Sequence, residues 1–319
     1  MTDVAATSEP GQGSVRARSL KRSFATPGAV SLRVENYSGK VEIDTHDIAT
    51  TEIVLVAMSP AAGEVVEHTR INEKATALGH EVIVEVPQSR GKARLWLGNG
   101  AAVSVSVKLP RDAQLDISTA SAWVNASGRY RAATIRTTSG AIAVGEVAGE
   151  ARVRTMSGDV ALEAVDGVVD VQSASGDVKI GVAASGGKIS TVSGDIDLGR
   201  SGEPTRIHTA SGEVRISEAL RGIDVESVSG DQRIERATAG ECLMRAVSGD
   251  ILVAVVPGSL VCLDAGSLSG RVSSDIEVEP SRPPVRQGEP DGPELLIQAK
   301  TVSGAIAVVR ARAESTARQ

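Results

Sequence analysis

The chain has 319 residues, a formal net charge of −6 and only 2% aromatic residues, with Phe24 as its one phenylalanine. A core of two packed globular layers usually draws on large aromatic side chains, so this composition favours a narrow core of Val, Ile, Leu, Ala and Thr. The negative charge argues against the basic footprint of a nucleic-acid-binding domain, and no stretch approaches the ~18 apolar residues that a membrane-spanning helix needs.

Residues 1–22 predict a disordered, basic N-terminal arm, because they hold Arg16, Arg18, Lys21 and Arg22 without an apolar pattern. Contact of this arm with an anionic membrane surface or with nucleic acid is the alternative to a solvated arm. The arm contains no apolar run of signal-peptide length, and the two cysteines of the chain are fewer than a disulfide-stapled extracellular fold would carry. We therefore expect a cytoplasmic location.

Residues 23–115 predict a β-rich capping region. Apolar and polar residues alternate, as in strands with one buried face, in four segments: residues 32–43, 51–58, 81–86 and 102–109. Residues 61–80 are less regular and predict a short helix or a loop. Such a cap covers an otherwise open strand edge and discourages end-to-end aggregation.

A repeat built around Ser-Gly organises the next part of the chain. Ser-Gly recurs every 18 residues from Ser139 to Ser229, and then after 19, 21 and 34 residues at Ser248, Ser269 and Ser303. In the regular repeats, apolar residues lie four positions before and three and five positions after the serine, with Gln232 as the exception, and a small residue lies two positions before it. This period-two alternation on both sides of a turn predicts two short strands per repeat.

The Ser-Gly corner between these strands requires a tight turn, and glycine tolerates positive φ there without steric cost. The predicted turn glycines are Gly140, Gly158, Gly176, Gly194, Gly212, Gly230 and Gly249. One repeat cannot bury its own apolar face, so successive repeats must stack at a spacing of ~4.8 Å. The sequence therefore predicts an all-β fold, a single-stranded β-solenoid (β-helix) of about ten coils over residues 116–309, behind the N-terminal cap.

The C-terminal part of the repeat region is less regular. Residues 280–293 are rich in proline, glycine and charge and predict an exposed loop inserted between the last coils. Residues 301–308 restore the pattern, so we expect them to form the terminal coil, followed by a flexible tail over residues 310–319. Cys242 and Cys262 both fall near inward-facing positions, where we expect buried thiols. Neighbouring coils could bring the two close enough for a disulfide.

An acidic residue follows the turn glycine in most repeats and would stack into a column. Its members are Asp159, Asp177, Asp195, Asp231 and Asp250, with Glu213 in the same place. Carboxylate oxygens bind divalent cations, so this column is the candidate metal site of the sequence. We favour solvated turn-forming residues instead, because Ala141 and Ala305 interrupt the column and the Gly-Gly-x-Gly-x-Asp motif of calcium-binding repeats is absent.

The sequence lacks the patterns of an enzyme. Its four histidines show no metal-ligand spacing, and it contains neither a nucleophile motif nor a phosphate-binding loop. The groups that come nearest to the acids and bases of polysaccharide-cleaving β-helices are Asp44, His46, Asp47, Arg215 and Arg233. We expect neither catalysis nor a cofactor.

One predicted outward-facing row combines polar side chains with charges of both signs. Its members are Arg136, Arg154, Gln172, Ser190, His208, Glu226 and Arg245. Such rows are recognition surfaces in many solenoids, so a partner-binding face is one hypothesis and a solvated face is the other.

The segment Val-Ser-Val-Lys-Leu-Pro-Arg-Asp-Ala at residues 105–113, followed by tandem Thr-x-Ser-Gly-Asp-Val, resembles the bacterial toast-rack family of adhesin-like β-strand repeats, a domain of unknown function. The resemblance covers residues 25–310 and implies an all-β single-stranded solenoid. Some members are attached to membrane segments and occur beside envelope-stress proteins and two-component systems. The family supplies no catalytic residues, and this sequence shows no spanning segment, which argues against direct surface adhesion.

The leading functional hypothesis is a non-enzymatic scaffold or protein-interaction module linked to bacterial envelope stress or homeostasis. Its partner would be another protein or a second copy of the chain, with no nucleic acid and no membrane span. One alternative is a self-polymerising structural protein whose ends stack head to tail. The other is an adhesin-like or polysaccharide-binding β-helix, which would require export.

Overall fold

The computed structural model describes residues 19–88, 101–276 and 292–311. It confirms the predicted all-β solenoid, with 73% of the described residues in strands and 2% in helix. All 24 strands of the described ranges belong to one hydrogen-bonded sheet that surrounds a single apolar core. The predicted arm up to residue 18, most of the predicted loop and the tail from residue 312 lie outside the described residues.

The N-terminal end carries the predicted cap. Its elements are β1 (Ser19–Ala25), β2 (Val30–His46), β3 (Thr50–Ala57), α1 (Ala62–Glu67), β4 (Arg70–Thr76), β5 (Gly79–Glu85) and β6 (Val103–Pro110). The two halves of β2 pair in parallel with β5 and β6, which together form the outermost coil. β4 adds antiparallel to β5, and β3 and then β1 add antiparallel beyond β6. Ala62, Val65 and Val66 of α1 are buried in the core, so the helix closes this end.

Two expectations for the cap need correction. Residues 19–22, predicted as part of the disordered arm, belong to β1, where Lys21 lies opposite Val54 and its ammonium group is 3.5 Å from Glu52. The edge of β3 provides the hydrogen-bond partners of residues 19–22. The polar sequence of these residues gives no sign of this pairing. The irregular segment over residues 61–80 contains the short helix and also β4, which is mostly exposed and therefore lacks a clear apolar alternation.

The repeats form coils with one strand on each side of the Ser-Gly corner. β7 (Ala113–Ser139) runs without a break through the first corner and the return bend after it. The strands that follow are β8 (Ile142–Val147), β9 (Ala151–Ser157), β10 (Val160–Val165), β11 (Val169–Ser175), β12 (Val178–Ala183), β13 (Gly187–Ser193), β14 (Ile196–Ser201), β15 (Thr205–Ser211), β16 (Val214–Ala219), β17 (Gly222–Ser229), β18 (Gln232–Ala237), β19 (Gly240–Ser248) and β20 (Ile251–Val255). Odd-numbered strands form one wall of the solenoid and even-numbered strands form the other.

Parallel pairing between equivalent strands holds the coils in register. Val153 lies opposite Val171, and Val171 lies opposite Ile189, so each residue faces the one a full repeat later. Successive side chains of a strand point to opposite faces, so this register keeps every column wholly inside or wholly outside. These three side chains are fully buried. In the buried hydroxyl column, Thr191 Oγ1 donates a hydrogen bond to the carbonyl oxygen of Ser193 at 3.1 Å.

The last coils do not stack in sequence order. They comprise β21 (Leu260–Ser269), β22 (Val272–Ser274), β23 (Glu294–Ser303) and β24 (Ile306–Arg310). β23 pairs with β19 on one side and with β21 on the other, and β24 likewise lies between β20 and β22. The expectation that residues 301–308 form the terminal coil is therefore wrong, since the coil of β21 and β22 lies outside them.

Side-chain polarity explains this order. The inserted coil contributes Leu295, Ile297, Ile306 and Val308, all fully or almost fully buried. The outer coil has the three-residue strand Val-Ser-Ser, in which all residues are exposed. Burial of apolar surface is the main stabilising contribution, so the more apolar coil gains more from the position with two neighbours.

Candidate functional site

The Ser-Gly corner brings successive backbones into close contact. Gly176 and Gly194 adopt φ values of +115° and +124°, which place them in the left-handed region. A Cβ atom added to Gly194 would lie 2.3 Å from the carbonyl oxygen of Gly176 in the preceding coil. Gly140 is the one predicted turn glycine whose φ is not positive; an added Cβ there would still meet the Ala122 carbonyl oxygen at 2.2 Å. Glycine is thus required along this edge by close approach as well as by backbone conformation.

The acidic column follows the corner and bonds to the backbone. The amide N–H of Asp177 donates to a carboxylate oxygen of Asp159 at 3.0 Å, and the same bond joins Asp195 to Asp177 at 2.9 Å. Glu213 donates to Asp195 at 2.8 Å. The bond recurs from Asp250 to Asp231 at 2.8 Å and from Ala305 to Asp250 at 2.7 Å. Each of these aspartates thus accepts a hydrogen bond from an amide in the next coil.

These hydrogen bonds give the aspartates a structural role at the turn. The same aspartates are the candidate metal ligands of the sequence. One oxygen of each carboxylate bonds to a backbone amide and the residue remains exposed, so the charge faces solvent. Among residues 19–88, 101–276 and 292–311, no three acidic, histidine or cysteine side chains are grouped as a cation would need. The arrangement can therefore stabilise coil-to-coil stacking and present a line of negative charge.

The outward row predicted as a recognition face is largely paired within itself and with its neighbours. Arg136 bonds to Asp116 at 3.1 Å, and Arg245 bonds to Glu226 at 2.8 Å. His208 also lies 3.1 Å from Glu226. This row of seven residues, which we call the mixed row, holds three arginines against one glutamate, so its formal charge is +2 with His208 neutral.

An exposed row of apolar side chains lies beside the corner and is not among the predicted sites. The residue directly before each Ser-Gly serine points outward, and in most coils it is apolar. Its larger members are Tyr37, Met156, Val192, Val228, Val247, Val302 and Leu268, with Ala120, Thr138, Ala174 and Ala210 between them. Exposure of the larger members runs from 46% for Tyr37 to 84% for Leu268. We call this row the apolar stripe; its signal in the sequence is the apolar residue at an outward position of the alternation.

The stripe runs the length of the stacked coils. The residues on both sides of a stripe residue pair with the neighbouring coil. Ala174, for example, lies between Ser173, which faces Thr155, and Ser175, which faces Ser157. Neighbouring members of the stripe are therefore one coil apart. Coils are separated by about 4.8 Å. Near the N-terminal end, Trp123 is partly exposed and the ammonium group of Lys40 lies 4.9 Å from its ring centroid. From Met156 to Leu268 the stripe therefore forms a continuous apolar edge beside the Ser-Gly corner, and Thr138 interrupts it nearer the N-terminal end.

The other reactive groups in the described part of the chain lie apart from one another. His80 pairs with Glu73 at 2.6 Å in the cap, far in the chain from His46. Arg215 and Arg233 are register partners, and Arg215 bonds to Glu213 at 3.0 Å. Burial is the main cause that raises the pKa of the Tyr130 hydroxyl, which donates to carbonyl oxygens of Ile43 and Ser127.

The two cysteines are both free, and only one is fully buried. Burial raises the pKa of the Cys242 thiol to about 12. Cys242 lies opposite Ile297 of β23, whereas Cys262 lies opposite Leu296 and shares an outward row with it. The expectation that both cysteines face inward is wrong for Cys262, and the inserted strand β23 separates the pair.

The chain is similar to one family model and to several solved structures. A family model described as Toastrack DUF4097 matches residues 27–217. A similar solved structure is a candidate adhesin of Parabacteroides merdae ATCC 43184, with 11% identity, a TM-score of 0.38, and 93% of this chain and 98% of that chain covered. Another is a candidate lipid-binding protein of Parabacteroides distasonis ATCC 8503, with 14% identity, a TM-score of 0.37, and coverage of 92% and 97%.

A candidate cell adhesion protein of Clostridium sporogenes ATCC 15579 is similar at 8% identity and a TM-score of 0.31, with 92% of this chain and all of that chain (100%) covered. None of the curated proteins matches the chain. Within the described ranges, no helix has the length and apolar character to cross a membrane.

Proposed function

The chain belongs to the Toastrack DUF4097 family, a family without an assigned activity, and we propose that it is a non-enzymatic scaffold that binds a protein partner along the apolar stripe. The family and the solenoid fold leave the partner open. The proposal includes a cytoplasmic location and a role in bacterial envelope homeostasis, as expected from the sequence and the family resemblance.

The observation that carries the proposal is the length and continuity of the stripe. Single exposed apolar residues are ordinary on protein surfaces, but contiguous apolar patches usually mark binding sites. The outward residues of a strand carry no packing requirement, so Val192, Val228 and Val247 could be polar without loss to the core. Their burial under a partner would stabilise a complex by removing apolar surface from water.

A triple variant, Val192→Thr, Val228→Thr and Val247→Thr, tests the proposal. Threonine has the shape and β-propensity of valine, so the solenoid should fold while the stripe becomes polar. Affinity capture from native cell extract, read by mass spectrometry, should recover the same partner with the wild type and lose it with the triple variant. The matched control is Val168→Thr, which changes a valine of the same 51% exposure as Val247 away from the stripe.

The outcome that contradicts the proposal is equal recovery of every captured protein by the wild type and the triple variant. Circular dichroism and the midpoint of thermal unfolding should match between all three proteins, so that lost capture reports the surface and not the fold.

A second candidate, self-association, is favoured by one observation. In the described residues, β21 and β22 each pair on one side only, so the C-terminal end presents open strand edges. The antiparallel strands and α1 at the other end oppose head-to-tail polymerisation, so a second copy would bind end to end in pairs. Sedimentation analysis decides this: a dimer at micromolar concentration supports it, and a monomer at all concentrations rejects it.

A further inference from the structure

We infer that the partner segment is an amphipathic helix that lies along the apolar stripe and carries lysine or arginine on the flank that faces the acidic column. This inference rests on the proposed function and adds the chemistry of the partner. It follows from the charge on the two sides of the stripe.

The acidic column runs beside the stripe on one side of the corner. Within one coil the chain reads Val192-Ser193-Gly194-Asp195, so the stripe residue and the acidic residue are three positions apart across the turn. The same order recurs in the neighbouring coils, because both rows follow one parallel register. A molecule that covers the stripe therefore lies next to the acidic column over several successive coils.

The charge of this column is not neutralised by basic side chains of the described residues. Glu213 is the member with an ion pair, to Arg215 at 3.0 Å, whereas the described ranges give no ion pair to Asp159, Asp177, Asp195, Asp231 or Asp250. Like charges one coil apart, at about 4.8 Å, repel one another. A basic partner relieves this repulsion, so the column favours cations along its whole length.

The other flank of the stripe has the opposite character. There the mixed row pairs Arg136 with Asp116 and Arg245 with Glu226, and it retains a formal charge of +2 over its seven residues. Recognition is consequently one-sided, with basic groups favoured beside the acidic column and disfavoured on the far side.

These charges select the class of partner. Anionic lipid headgroups and nucleic-acid phosphates would be repelled by the acidic column. The rise of a helix fits the spacing of the coils, because one helical turn rises 5.4 Å and can place one apolar residue near each coil. In an extended strand, residues on the same side recur only every ~6.8 Å, which is further from the coil spacing of about 4.8 Å. The acidic column covers about 24 Å, which corresponds to a helix of roughly 16 residues.

The test uses a displayed library of 18-residue helices with leucine on one face and with each flank set to lysine, glutamate or glutamine. We expect the full-length protein to enrich peptides with lysine on one flank. Synthetic peptides from that pool should bind more weakly as salt rises, because exposed charges are screened. Their glutamate-flanked counterparts should bind at least about tenfold more weakly.

The decisive variant is Asp177→Asn, Asp195→Asn and Asp231→Asn in one chain. Asparagine keeps the oxygen that accepts the amide bond from the next coil and removes only the charge, so the corner stays intact. Loss of three exposed charge pairs should weaken binding of the lysine-flanked peptide about tenfold and flatten its salt dependence. The Val192→Thr, Val228→Thr and Val247→Thr variant should lose binding of all peptides.

The outcomes separate this inference from the proposed function. Enrichment without any flank preference, or with a glutamate preference, overturns the inference and leaves the stripe as a binding site. A library that yields no binder also overturns it. Binding of phosphatidylglycerol vesicles that is lost in the threonine variant would replace the helix with a lipid surface. Peptide binding that survives in the threonine variant would reject both proposals.

Discussion

At the scale of single residues, the corner glycines set the distance between coils. Gly194 has a φ of +124°, and a Cβ atom there would meet the backbone carbonyl oxygen of Gly176 at 2.3 Å. Neither atom can move without displacing a strand that pairs on both sides. The tolerance of this edge for any side chain is therefore very low.

We predict that Gly194→Ala lowers the free energy of unfolding by at least about 2 kcal/mol, since it adds both backbone strain and a steric overlap. Gly266→Ala is the matched control: nothing lies within 4 Å of its added Cβ and its φ is not in the left-handed region. Urea denaturation followed by circular dichroism measures both variants. Similar stability of the two would show that the coils can separate at the corner without cost.

At the scale of the secondary-structure elements, the acidic column connects strands that follow one another in the stack. The amide of Glu213 donates to the Asp195 carboxylate at 2.8 Å, so this side chain supports the start of β16 from the preceding coil. The bond is exposed, where water can replace it, and stacked carboxylates repel one another. The net contribution of each aspartate is therefore small, and its hydrogen bond and its charge act in opposite directions.

Two substitutions at Asp195 separate these effects. Asp195→Ala removes the acceptor and should lower the free energy of unfolding by about 1 kcal/mol. Asp195→Asn keeps the acceptor and removes the repulsion, so it should be neutral or slightly stabilising. Chemical denaturation in low salt measures both. If Asp195→Asn proved as destabilising as Asp195→Ala, the charge itself would be needed, which would return the column to the list of cation sites.

The elements also show how far the sequence could be interpreted. Strict spacing fixed the pairing of residues such as Val153 and Val171, because one shift of register would turn every apolar side chain outward. Periodicity gives the place of a residue within its coil, and not which coil lies beside it. The order of the last coils depends on the relative burial of β23 and β21. Periodicity alone therefore predicts the wrong terminal coil and an inward orientation for Cys262.

The candidate site was predictable only in part. The acidic column was visible in the sequence because acids recur after the same glycine, but its bonds to amides depend on the distance between coils. The apolar stripe was also present in the sequence, as Met156 and Val192 illustrate at an outward position of the alternation. The alternation predicts polar or variable residues at outward positions, and continuity of the row becomes evident only when the coils stack.

At the scale of the whole molecule, the two ends of the solenoid differ. One end is covered by antiparallel strands, whose outer members β1 and β4 each pair on one side in the described residues, and by the buried side chains of α1. The other ends in β21 and β22, where Val272 and Leu268 are exposed and one strand edge is unpaired in the described residues. In a stack of repeats, the total stability is the sum of the intrinsic stability of each coil and the stabilisation from its contacts with neighbouring coils. A coil with one neighbour therefore opens more easily.

We therefore predict that, among the stacked coils from β8 to β24, hydrogen exchange starts at the C-terminal end, in an order set by the stack and not by the sequence. Amides of β21 and β22 should exchange first, those of β23 and β24 later, and those of the central strands β13 to β16 last, because local opening requires fewer lost contacts at an end. Exchange followed by proteolysis and mass spectrometry resolves these segments. A solenoid stacked in sequence order would instead expose β23 and β24 first. Faster exchange there than in β21 would reject the observed order of coils, and uniform protection of both would indicate that a partner or a second copy covers the open end.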